Sequence, residues 1–131
     1  MKAAYPIVLT QGEQFMVVYI PDFEINTQGR DLTEAMAMAR DAIGLMGIDM
    51  EDEKEPLPLP SALPAVAAAH PEAVVTLVDV DFTAYRKAND NRSVKKTLSI
   101  PSWLNVEAEK AGINFSRTLQ EALIKQLGIS R

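Results

Sequence analysis

The residues of this 131-residue chain best suited to catalysis are four carboxylates, Asp22, Glu24, Asp79 and Asp81. Gathered around Mg²⁺, such a set would suit two-metal hydrolysis of a phosphodiester. Yet Asp22 and Glu24 follow Pro21 where a β-rich run breaks, and Asp79 and Asp81 sit near the end of another, positions at which acidic side chains are ordinarily solvated. With no cysteine and a single histidine, His70, thiolate metal sites, cysteine nucleophiles and any two-histidine site are excluded. The expectation is a protein that catalyses no reaction and carries no metal or cofactor.

A second set has different chemistry. In Val94-Lys95-Lys96-Thr97-Leu98-Ser99-Ile100, strand periodicity places Val94, Leu98 and Ile100 on one face and Lys95, Thr97 and Ser99 on the other. One face is apolar; the other carries donors and acceptors that can read base edges. Lys96 falls on the apolar side, where its long stem lets the ammonium reach toward phosphates. Pro101 then opens a helix with Leu104, Ala108 and Ala111 on one side, ending at Gly112, and Asn114 caps another with Phe115, Leu119, Leu123 and Leu127, ending at Gly128. A lone strand with two short helices leaves a backbone edge unpaired and an apolar face uncovered, so residues 93–131 are expected to form an obligate homodimer. Two such strands pairing antiparallel would present Lys95, Thr97 and Ser99 of both copies on one ribbon, a shape the major groove admits.

The elements upstream form a separate unit. Tyr5–Leu9 and Phe15–Ile20 read as a hairpin around Gly12, and Glu24–Gln28 as a third strand. From Asp31 the period changes, with Leu32, Ala35, Met36, Ala39, Ala42, Ile43 and Met46 on one helical face, a capping-box pair Asp31/Glu34 at its start and Gly47 as its stop. An acidic run, Glu51–Glu55, leads into prolines 56, 58, 60 and 64, which predict an extended loop with a short helical turn near Ala65–His70. Residues 73–81 complete the sheet. The polar stretch 83–92 reads as a linker, giving domains 1–82 and 93–131 in an α+β chain.

Charge divides at the same place. Residues 1–91 carry 6 Lys+Arg against 15 Asp+Glu, a balance of −9, whereas residues 92–131 carry 7 against 3, a balance of +4. A dimer of the second segment would offer twice that charge to a phosphate backbone. No apolar run is long enough to span a membrane and no signal sequence is recognisable, so the expected location is the cytoplasm.

The order and spacing over residues 93–128 resemble the ribbon-helix-helix family of repressors. That resemblance implies base contacts from Lys95, Thr97 and Ser99. It also implies a DNA phosphate at the start of the second helix, on Asn114, Phe115 and Ser116, where free amides and the helix dipole favour an anion and Arg117 adds charge. Pro21-Asp22-Phe23-Glu24, Thr27-Gln28-Gly29, Glu34-Ala35 and Ala39 are similar to the signature of HicB-type antitoxins. The resemblance implies a degraded RNase H-like N-terminal domain over about residues 3–81 that covers a small basic RNA-cleaving toxin, HicA, while the complex, a dimer or higher oligomer, binds operator DNA and represses its own promoter. Asp22, Phe23, Glu24 and the acidic run 51–55 are the candidate toxin contacts. The alternative is a ribbon-helix-helix repressor whose N-terminal domain senses a small molecule.

Overall fold

The computed structural model describes residues 1–129; the last two residues of the expected 93–131 unit, Ser130 and Arg131, lie outside the described residues. Two compact units divide the chain at Arg92/Ser93.

The first unit is built on a fully antiparallel sheet of four strands: β1 (Lys2–Gln11), β2 (Met16–Ile20), β3 (Ile25–Gly29) and β4 (Val74–Asp81), in the spatial order β3-β2-β1-β4. Strand β1 pairs with β2 through Val8↔Tyr19 and with β4 along its length, from Lys2↔Asp81 to Leu9↔Val74. Its alternation sets the layers. Tyr5, Ile7 and Leu9, with Val18, Ile20, Val78 and Val80, form one apolar face, onto which the first helix, α1 (Leu32–Asp52), lays Ala35, Ala39 and Ile43. On the opposite face, Val8 is covered from the side of α2 (Leu63–Ala69), whose Val66 is buried.

A short 3-10 turn, Pro21–Phe23, follows β2, and Glu24 closes it in the left-handed region at φ 53°. The third strand therefore starts at Ile25 rather than at the expected Glu24. Helix α1 begins as expected: the Asp31 carboxylate accepts from the Glu34 amide at 2.8 Å. Glu34 reaches back one residue further than a capping box requires, accepting from the Arg30 amide at 3.1 Å.

Two expectations fail together. Gly47 does not stop α1, which runs on to Asp52, and residues 83–92 are not a linker. Residues Phe82–Asn89 form a helix, α3, with Asp81 as its N-cap, accepting from the Ala84 amide at 3.0 Å. Phe82 is 1% exposed and packs over Gly47, while the Tyr85 ring packs over Gly44. A Cβ on either glycine would overlap the ring it faces. The glycines thus make a shallow channel on α1 for two rings spaced three residues apart on α3. Tyr85 donates its hydroxyl to Asp41 at 2.9 Å, and Arg86 donates to the Ile48 carbonyl at 3.1 Å.

The second unit holds α4 (Ser102–Lys110) and α5 (Phe115–Leu127), joined through Gly112 at φ +70° and closed by Gly128 at φ +67°. Both glycines hold left-handed turns that favour a residue without Cβ. Residues 93–100 belong to no strand in the single chain. Neither α4 nor α5 contains a buried residue.

Candidate functional site

In the second unit the expected DNA-reading residues fall into two groups. Lys95, Lys96, Thr97 and Ser99 are all exposed on the segment before α4. On the same segment Val94 is 85% exposed, Leu98 61% and Ile100 46%. Trp103, Leu104, Val106, Phe115, Leu123 and Leu127 on the helices are exposed as well. That much exposed apolar surface in so short a unit is the property expected of half an interface.

The start of α5 is built as the sequence predicts. Asn114 is the N-cap, and its side-chain oxygen accepts from the Arg117 amide at 3.0 Å. It thereby satisfies one of the four amides a helix start leaves unpaired; those of Phe115 and Ser116 head the same turn. The Ser116 hydroxyl accepts from Gln120 at 3.1 Å on the helix flank. The cap orients a turn of donors and partial positive charge beside Arg117, an arrangement that suits a phosphate oxygen.

In the first unit the candidate partner contacts separate. Phe23 is not a surface residue: it is 9% exposed and meets the Tyr5 ring edge-on, with centroids 4.9 Å apart. Its apolar bulk, in the turn after β2, packs into the core. Glu24 is exposed. Asp22 is half-buried and holds the proline-rich loop, taking the Ser61 amide at 3.0 Å on one oxygen and the Ser61 hydroxyl on the other. Within the acidic run, Glu51 and Asp52 receive Arg86 at 3.2 and 3.0 Å, and Asp52 also receives Arg92 at 3.3 Å. Glu53 and Glu55 are exposed beyond the helix end.

Of the four carboxylates that could have served hydrolysis, three have other partners and the fourth, Glu24, is exposed. Asp22 holds Ser61; Asp79 pairs with Arg40 at 3.4 Å; Asp81 caps α3, and the Ala84 amide it accepts holds its carboxyl below the usual range. Among the described residues no group of three or more acidic or histidine side chains is placed to hold a metal ion.

Sequence reasoning missed the arginines. Arg92 donates to Asp90 at 2.8 Å through Nε, and Arg86 reaches Asp90 at 3.2 Å. Hydrogen bonds from Arg92 hold the Asp90 carboxyl well below the usual carboxylate range. The last residue of the first unit is therefore fastened to the C-terminal end of α1. The signal was present: Gly44 and Gly47 repeat at the same spacing as Tyr85 and Phe82.

The model of a family described as "HicB_like antitoxin of bacterial toxin-antitoxin system" matches residues 5–123. The chain belongs to the HicB-like antitoxin family. Among solved structures, it is similar to a chain of a toxin–antitoxin complex from Streptococcus pneumoniae, with 27% identity and a TM-score of 0.61 over 96% of this chain and 99% of that one. It shares its fold with the antitoxin HicB of Burkholderia pseudomallei, at 20% identity and TM-score 0.56, covering 95% of this chain and 96% of that one. The fold is also that of antitoxin HicB3, at 20% identity and TM-score 0.52, covering 98% and 100%. A search of curated proteins returns no significant match. The α+β architecture is thus that of HicB antitoxins. No described helix is long and apolar enough to cross a membrane.

Proposed function

We propose that this HicB-like antitoxin acts without catalysis through two surfaces: unit 1, a degraded RNase H-like domain, binds and neutralises a small basic HicA-type RNA-cleaving toxin, and unit 2, a ribbon-helix-helix module, binds operator DNA. The observation that carries the second half is the absence of any buried residue in α4 or α5 beside the exposed Val94, Leu98 and Ile100. Two copies whose 94–100 segments pair antiparallel would satisfy the open backbone edges and cover those apolar side chains together. The same pairing would leave Lys95, Thr97 and Ser99 of both copies on the outer face, with Lys96 and the Asn114–Arg117 turns flanking them for phosphates.

The first half rests on family membership and charge. A surface balance of −9 over residues 1–91 suits a basic partner and speeds its capture. Both activities belong to the cytoplasm, where toxin and operator are met. Binding of the full-length protein to DNA from its own promoter tests the second half. A specific complex with a steep salt dependence is expected; equal affinity for random DNA would contradict operator recognition.

A further inference from the structure

The proline-rich segment between α1 and α2 is ten residues, 53–62, without helix or strand, yet it is fastened along its length. The Glu55 amide donates to the Met50 carbonyl at 2.9 Å, carrying the chain away from α1 after the left-handed Lys54. Leu57 packs against the core. The Tyr5 hydroxyl, at the tip of a side chain that is 0% exposed overall, donates to the Pro58 carbonyl at 2.8 Å. Asp22 then grips Ser61 through both its amide and its hydroxyl. Pro56, Pro58 and Pro60 fix φ and remove amide donors, so the strap has few alternative conformations and no amide of its own at those positions with which to join a strand.

Between these anchors Leu59 points outward. It is 89% exposed, more than any other large hydrophobic residue of the described chain. Burying it would recover the free energy its exposure forgoes, and the strap has already lost the conformational freedom that binding usually costs. Its neighbours decide the partner. Exposed Glu53 and Glu55, with exposed Lys54 between them, lie a few residues before it, and the unit as a whole carries the −9 balance, so a second acidic copy of this unit is disfavoured and a basic surface is favoured.

We infer that the strap Pro56–Pro60, held proud by Tyr5 and Asp22, is the toxin-docking ridge of this antitoxin, with Leu59 entering an apolar pocket on a basic toxin surface and Glu53 and Glu55 facing its cations. The inference rests on the neutralisation reading above. It gives Asp22 a positioning role behind the contact.

The test measures the affinity of the full-length protein for a HicA-type toxin, for wild type, L59D, L59A and D22A. Wild type binds; L59D weakens binding by at least about tenfold, and L59A by less, as expected for withdrawing one leucine from an apolar pocket. Leu59 makes no core contact, so both variants keep the wild-type melting temperature. D22A weakens binding and speeds hydrogen exchange of the Ser61 amide, which links the loss to release of the strap. Wild-type affinity in L59D would overturn the ridge and leave neutralisation standing. An L59D effect on self-association, with toxin affinity unchanged, would assign the ridge to a second copy and also overturn it. Failure of wild type to bind the toxin would remove both the ridge and the neutralisation reading.

Discussion

The ring of Phe82 occupies the space into which a side chain on Gly47 would project. This one contact extends the first unit from the end of the sheet to Arg92, because Phe82 begins a helix whose Tyr85 and Arg86 continue along α1. Gly47→Ala should therefore destabilise unit 1 despite alanine's better helix propensity. The gain of about 1 kcal/mol from propensity is outweighed by an overpacking cost of about 1–3 kcal/mol. Denaturant unfolding of the two proteins measures the difference, and a more stable variant would contradict the packing.

The same contact sets where the chain can be cut. A fragment ending at residue 81 loses Phe82 and should be less stable than one ending at residue 92 by at least the cost of Phe82→Ala, about 3–5 kcal/mol. Thermal melting of the two fragments reads this directly. Equal stability would restore the linker expected for 83–92.

Acid should release Arg92. Because hydrogen bonds from Arg92 depress the folded-state pKa of Asp90, their stabilisation is fully present above the unfolded carboxylate value of about 3.9 and is lost as pH falls through the folded value. The Arg92 Nε–H resonance should hold its position from neutral pH to about pH 4 and shift only in stronger acid. A shift centred near the ordinary carboxylate value would mean that Arg92 is not fastened.

How much of this was legible in the sequence differs between the two units. The period-two and period-three-to-four patterns placed four strands and α1 because each element buries one regular face, and Asp31 and Asn114 marked their helix starts by cap chemistry. Helix α3 was hidden because its surface is polar: it is held by two rings and by arginines whose partners lie more than thirty residues away, at Glu51 and Asp52. Gly47 misled for the same reason, since a glycine that ends a helix and one that admits a ring look identical without the partner. Phe23 was grouped with its charged neighbours, although its ring turns inward against Tyr5. Residues 94–100, read from their alternation as a strand, form none in the single chain, where side chains of both parities are exposed.

DNA recognition makes a separable forecast. Lys95→Ala should cost about 1–3 kcal/mol of operator binding with only a slight change in salt slope if Lys95 reads a base. Asn114→Ala should weaken operator and random DNA alike if the α5 start meets phosphate as proposed, and should cost about 1 kcal/mol of stability through loss of the cap. Fluorescence anisotropy at several salt concentrations separates the two. Equal losses on operator and random DNA for Lys95→Ala would make it a phosphate contact.

The central claim is neutralisation, and growth of cells expressing a small basic HicA-type toxin, alone and together with this protein, tests it most directly. The account predicts arrest by the toxin alone, relief by the full-length antitoxin, and weakened relief by L59D produced at the same level. Arrest that the full-length protein does not relieve would contradict it.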